Sequence, residues 1–294
     1  MKKPTKDFIY EQVNQAIIKQ LEQGSVPWRM PWKTDFPVNL VTKKEYNGYN
    51  WWILMIDQMV KHYESNVWAT FKQIAEAGGA VKKGEKSTMV VFWKIMEFQS
   101  KDKVTKGKNK GKNKVDSVPL LRYYNVFNID QTVGIELKNV KREFTVNDTA
   151  QWIITNFKSQ LNMQYGGNQA FYNQDEDYIM IPDRHKFTKD EDFYAVHFHE
   201  MIHATGHPKR LGRFKEGERG FFGDEDYSKE ELIAEMGSAY LCARSGILPK
   251  TIENSGAYIA NWLKVLNDDK SLLVSAGGKA HKAAEFIMKN EVKE

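Results

Sequence analysis

Apolar residues first recur at helical spacing at positions 8, 9, 13, 17, 18 and 21, and Gly24 offers a stop. In Pro27-Trp28-Arg29-Met30-Pro31-Trp32, two prolines prevent regular structure and hold two indoles on an extended turn. Tyr46-Asn47-Gly48-Tyr49-Asn50 reads as a turn, followed by an apolar helix through Trp51, Trp52, Leu54, Met55 and Met59. Trp68 to Gln73 opens another short helix that ends at Gly78-Gly79. Val81 to Lys86 is a basic turn feeding a β-run from Thr88 to Trp93, and a matching run covers Leu120 to Phe127. Between them, Lys101 to Val115 holds seven lysines and no aromatic residue. With so little apolar surface to bury, it reads as a flexible lysine loop that can drape onto phosphates.

The pattern then changes. Asn147 or Asp148 caps a helix running to about Leu161, and Tyr178-Ile179-Met180-Ile181-Pro182 is a short strand. Helices follow at Asp190–Ala204, Ser228–Arg244, 251–266 and 277–290. The fold class is therefore α+β: an N-terminal α+β domain with a small antiparallel sheet, residues 1–142, and a mostly helical C-terminal domain, residues 143–294.

Composition fits two ordinary globular domains, with 294 residues, 41% hydrophobic and 28% charged. No apolar stretch approaches the roughly 20 residues of a membrane span, and the basic start lacks the apolar run of a secretory signal. A lone cysteine, Cys242, forbids an internal disulfide and a Cys-rich zinc finger. A cytoplasmic protein with no membrane partner is expected. The net charge of +5 hides a split, because residues 1–140 carry 23 Lys+Arg against 14 Asp+Glu, and residues 141–294 carry 20 against 24. Six of the eight tryptophans also lie in the first 93 positions. A basic, Trp-rich half attracts phosphates and offers flat faces to bases. It cannot imitate DNA as an acidic decoy would.

The chemistry is concentrated in His199-Glu200-Met201-Ile202-His203. Residues four apart on a helix share a face, so both imidazoles can reach one ion while Glu200 lies a step round. Zinc, one per chain, is the expected cofactor, with other divalent ions tolerated by such donors. Glu200 is the candidate catalytic base. A third ligand must come from elsewhere. The position where a longer motif has another histidine is Lys209, and His207 lies about 12 Å along a helix from His199, so it is a minor candidate that a bend at Gly206 could rescue. Glu230-Glu231-Leu232-Ile233-Ala234-Glu235 on the next helix resembles the Glu-x-x-Ala-Asp helix of glutamate-ligand zincin metallopeptidases. That resemblance implies Glu231 as ligand and Glu235 as the group orienting a histidine through its ring N–H, with Glu235 as runner-up ligand and Glu230 facing solvent. It also implies that Tyr178–Ile181 is an edge strand to which a peptide could add. For an oxyanion-stabilising group, His207, Tyr194 and Tyr227 are candidates.

Taken together, Pro27-Trp28, Pro31-Trp32, Tyr46 to Asn50, Trp68 to Gln73, Lys82 to Lys86 and Tyr124 to Gln131 resemble the N-terminal domain of ArdC-type antirestriction proteins. His199 to Leu211 and Glu230 to Glu235 resemble their zincin-like C-terminal domain, so the resemblance covers nearly the whole chain. It implies a single-stranded-DNA-binding domain joined to a metallopeptidase-like domain, encoded on a mobile element and protecting incoming DNA from restriction. The partners it implies are single-stranded DNA and an unidentified protein substrate. Trp28, Trp32 and Tyr49 are then candidates for stacking on bases, and Lys82, Lys83 and Lys86 for phosphates; Trp51 and Trp52 belong to the core. The alternatives are a DNA-binding protein whose metal domain is structural or idle, and a host-directed peptidase with incidental DNA affinity.

Overall fold

The computed structural model describes residues 6–24, 26, 36–103, 113–135, 146–158, 161–214, 225–247 and 256–289. The first half comprises α1 (Lys6–Glu22), β1 (Val38–Asn39), α2 (Tyr49–Val60), β2 (Val67–Thr70), α3 (Phe71–Glu76), β3 (Ala80–Val81), β4 (Thr88–Lys103), β5 (Asn113–Asn128) and β6 (Thr132–Val133). One sheet has the order β1-β2-β5-β4, with β1 parallel to β2 and the other pairs antiparallel; β3 and β6 form a small ribbon. The second half comprises α4 (Val146–Lys158), β7 (Asn162–Tyr165), β8 (Phe171–Asn173), β9 (Tyr178–Ile181), α5 (Asp190–Ala204), α6 (Glu225–Arg244), α7 (Gly256–Asp268) and α8 (Leu272–Lys289). Mixed α and β structure is thus as expected. Trp28, Trp32 and the 142/143 boundary lie outside the described residues.

Four local expectations are corrected. Trp68 to Thr70 is strand, and the helix starts only at Phe71, because Thr70 caps it: its side chain accepts from the Gln73 amide at 3.3 Å while the Gln73 side chain accepts from the Thr70 amide at 2.9 Å. The two ends of the lysine segment are strand, since β4 runs to Lys103 and β5 starts at Asn113 and the two pair from Thr88↔Val126 out to Lys103↔Asn113; residues 104–112 lie outside the described ones. Strand β9 is central rather than an edge, with β7 parallel on one side and β8 antiparallel on the other. An added peptide strand therefore has no free side of β9 to join. Tyr49 opens α2 and is buried, at 3% exposure, so its ring has no face for a base.

A single apolar cluster runs through both halves, from Trp51, Trp52 and Trp68 to Phe198, Met201, Leu232 and Met236. Trp51 and Trp52 are core, as their sequence context predicts. At the junction, Tyr240 on α6 packs edge-on against Trp51 (5.1 Å) and Phe36 (5.7 Å), and Arg244 lies 4.1 Å over the Phe36 ring while pairing with Glu45. Gly277 lets α8 lie against α2, since a Cβ there would sit 3.1 Å from the Tyr49 Cα.

The same device operates between α5 and α6. A Cβ on Gly237 would come within 2.7 Å of the Ile202 side chain, so these helices touch where no larger residue fits. Gly237→Ala is expected to cost about 1–3 kcal/mol of stability through overpacking, read as a lower midpoint in chemical denaturation with an unchanged slope.

Candidate metal centre

Helix α5 enters with Asp190, Glu191 and Asp192 in its first turn, charges that complement the positive end of its dipole. It is buried on most faces, through Phe193, Tyr194, His197, Phe198, Met201 and Ile202, which fixes its rotation. His199 and His203 are left on the side that meets α6, with side chains 23% and 13% exposed. His197, the other helix histidine, is fully buried and serves the scaffold: its Nδ1 lies 2.9 Å from the Phe193 carbonyl.

Among the described residues, one group of His, Cys, Asp or Glu donors converges closely enough for an ion: His199, His203 and Glu231. The two Nε2 atoms are 3.1 Å apart, and the Glu231 oxygens lie 3.5 Å from Nε2 of His199 and 3.3 Å from Nε2 of His203. Donors about 2.1 Å from a tetrahedral ion stand about 3.4 Å from one another, close to the separation of the two imidazole nitrogens and to the approach of one carboxylate oxygen to each of them. The residues fit a divalent cation.

Glu230, expected to face solvent, instead stands beside His203. Glu230 turns inward, with a 16% exposed side chain and Oε1 3.5 Å from Nδ1 of His203. Arg213 fixes it in a two-pronged pair, Nη2 to Oε1 at 2.6 Å and Nε to Oε2 at 3.0 Å. The same guanidinium donates to the Ile202 carbonyl and the Thr205 hydroxyl, both at 2.8 Å. Arg213 thus caps the last turn of α5 and anchors the carboxylate facing the second histidine. Glu235, for which an orienting role was expected, contributes a negative field at His199.

Charge explains the demand for a cation. Burial alone would depress His203, but Glu230 and Glu231 outweigh it and push its pKa up to about 10. His199 is likewise raised, with burial opposed mainly by Glu231. Against the cost of its own burial, Glu231 is held well below the usual carboxylate range by both imidazoles, and Glu230 is lowered by His203 and Arg213. Glu200, at 8% exposure, adds negative charge acting on both rings.

His207 stands apart from the donor group, its Nδ1 accepting from the Lys209 amide at 3.1 Å and lying 3.9 Å from Asp177. Arg210 ties that loop to the sheet through Asp177 and the Tyr172 hydroxyl, and donates to the Ala204 carbonyl at 2.6 Å. Tyr194 is buried against Phe193, and Tyr227 lies on α6 with its side chain outside the described set. Lys82, Lys83 and Lys86 are exposed, and Lys82 Nζ donates to the Asp130 carbonyl at 2.7 Å.

Comparison with known proteins matches two families along the chain. Residues 7–127 match the family described as the N-terminal domain of anti-restriction factor ArdC, and residues 148–279 match the one described as zincin-like metallopeptidase. Crystal structures of the antirestriction ArdC protein from plasmid R388 are similar over nearly the full length. The metal-free form is 33% identical with TM-score 0.75, covering 96% of this chain and 97% of that one. The Mn(II)-bound form is 31% identical with TM-score 0.77, covering 97% and 98%. The y4eC protein of Sinorhizobium fredii is 31% identical over 95% of this chain and 91% of its own length. Two Escherichia coli proteins named DNA primase TraC are 33% identical, and the chain spans 28% and 20% of their lengths.

Glu230→Gln should weaken divalent-ion affinity by about 10- to 100-fold without changing the fold, as measured by competition with a chromophoric chelator. Neutral imidazoles are needed to bind an ion, and His203 stays protonated until the pH approaches about 10. Ion affinity should therefore rise with pH across the neutral range, with release of about one to two protons per ion, measurable by calorimetry in buffers of different ionisation enthalpy.

Proposed function

The chain belongs to the ArdC-type antirestriction family, and from that premise we propose that it binds single-stranded DNA through its first half and hydrolyses peptide bonds at a metal centre in its second. The proposed division is residues 1–142 and 143–294, and the proposed setting is the cytoplasm of a cell receiving a mobile element. The observation that carries the metal-centre reading is the convergence of His199, His203 and Glu231, each offering a ligand atom within 4.8 Å of the others, with buried Glu200 next to His199 on the helix.

In this reading His199 and His203 hold the cation through Nε2, and Glu231 completes the set through its carboxylate. Zinc is the expected ion, and manganese suits the same nitrogen and oxygen donors. When bound, such a cation lowers the pKa of water towards 7 and polarises a carbonyl. The protein's own contribution is a buried base and a fixed frame. Glu200 follows His199 on the same helix, so the packing that aims the histidine also aims the carboxylate that accepts a proton and returns it to the leaving amine. Arg213 and Glu230 keep the His203 ring from rotating, and the arginine's hold on the Ile202 carbonyl keeps the helix end from fraying. The −4 balance of residues 141–294 disfavours DNA at this centre, leaving the nucleic acid to the basic first half.

One observation favours DNA handling as a role separable from proteolysis. The same unit is matched in two proteins named as primases, in each of which it makes up under a third of the length. In that reading the metal domain serves as a structural companion.

Glu200→Ala separates the two. It should abolish cleavage of casein or of the chain itself, assayed with and without single-stranded DNA, while the variant still takes up the ion and binds DNA with unchanged affinity. Cleavage that survives in Glu200→Ala would remove the proteolytic half of the proposal. In the same preparations, Lys82→Glu/Lys83→Glu should weaken DNA binding and lower the slope of log affinity against log salt by about 0.7 for each phosphate no longer neutralised.

A further inference from the structure

Away from its root, the ribbon formed by β4 and β5 carries a row of exposed apolar side chains on one face. Its register opposes Val90 to Tyr124, Phe92 to Arg122, Lys94 to Leu120 and Met96 to Val118, and alternation puts these positions on one face. Val90, at the root, is buried, but beyond it Tyr124 is 54% exposed, Val118 48%, Met96 42% and Leu120 39%. Six residues of strand carry this surface over about 20 Å. Phe92 and Tyr124 meet diagonally across the strands with ring centroids 4.7 Å apart and planes within 2° of parallel. An exposed apolar stripe with a flush aromatic pair is unusual on a soluble surface and marks a binding face.

Charge selects the occupant. Strands β4 and β5 carry five Lys+Arg against three Asp+Glu, and residues 104–112, which join them in sequence, add four lysines and no acid. A second copy laid against the same face would bring the same excess with it, and like charges would oppose the association. A polyanion is attracted instead. The pair is a flat platform with Tyr124 more than half exposed, and one more flat ring suits it, which an unpaired base provides and a base already stacked in a duplex does not.

We propose that this face of the β4–β5 ribbon is the docking surface for single-stranded nucleic acid, an unpaired base stacking on the Phe92–Tyr124 pair and Arg122 lying against a phosphate. The inference rests on the reading that the chain binds single-stranded DNA and assigns that binding to a surface. It also replaces Tyr49, which the core encloses, by Tyr124 four positions before the end of β5.

The test uses the full chain and a fluorescein-labelled oligothymidylate, followed by anisotropy across a salt series. Tyr124→Ala should weaken binding by about fivefold to a hundredfold with the salt slope unchanged, because it removes a stacking ring and leaves every phosphate neutralised as before. Tyr124→Phe should keep affinity within about twofold, since the ring suffices. Arg122→Gln should lower the slope by about 0.7. Tyr124 is exposed, so these variants should fold, and circular dichroism checks that they do. If the unmodified chain binds and Tyr124→Ala binds equally well, the ribbon is not the docking surface, although the DNA-binding reading stands. If the unmodified chain fails to bind even at low salt, that reading falls and this inference with it. If Tyr124→Ala instead abolishes self-association in sedimentation velocity while DNA affinity is kept, the face joins copies of this chain, and the assignment is wrong.

Discussion

Two imidazoles and a ring of glutamates share one buried corner between α5 and α6, and that corner is stable only if it holds positive charge. Glu200, Glu230 and Glu231 all act on His203, and one arginine offsets only part of their charge. With no cation bound, a protonated imidazole supplies the charge, and the surrounding carboxylates shift both histidines upward against the cost of burial. Much of the second half serves this corner. The absence of a Cβ at Gly237 lets the helix carrying Glu231 reach the one carrying the histidines. Arg213 caps α5 and pins Glu230, while Arg210 fastens the following loop to the sheet through Asp177 and Tyr172.

The two halves differ in how far the sequence discloses them, and the difference is physical. Helix α5 is readable to the residue, Asp190–Ala204, because an acidic first turn, an apolar run and Gly206 mark its ends. The histidine pair follows from the helical repeat alone. Glu230 is not readable in the same way, because α6 is buried on most of its surface, and a helix-face argument that reserves one side for solvent does not apply. The deciding partner, Arg213, lies seventeen residues away in a loop, and no periodicity signals it. Strand β9 is visible as Tyr-Ile-Met-Ile, but its neighbours β7 and β8 are four and three residues long and too polar to announce themselves, so its central position is hidden.

The hairpin shows the converse. Lysine, asparagine and glycine are poor strand formers, and by propensity the segment after Ser100 is loop. The pairing of Thr88 to Gln99 with Val115 to Val126 is already set by β-branched and aromatic residues nearer the sheet, and the strands stay together past a register shift to pair Lys103 with Asn113. Local propensity gives way to register. Tyr49 departs from expectation for a related reason. Its Tyr-Asn-Gly-Tyr-Asn setting has the composition of an exposed turn, yet the turn delivers the tyrosine directly beneath α8, where Gly277 leaves room for its backbone.

A shared core ties the two sites together. Trp51 and Trp52 belong by sequence to the basic half, yet they pack into the same apolar cluster as the helices of the metal centre, and Trp51 meets Tyr240 of α6 edge-on. Halves joined only by a linker could exchange or drift apart, whereas halves joined through a close-packed core resist relative displacement. A strand held on the β4–β5 ribbon would then stand at a fixed position relative to Glu200. That rigidity sets the chain apart from two independent modules that merely share a linker. The contact between the halves lies in the tryptophans and Tyr240, away from the donor group of the candidate metal centre.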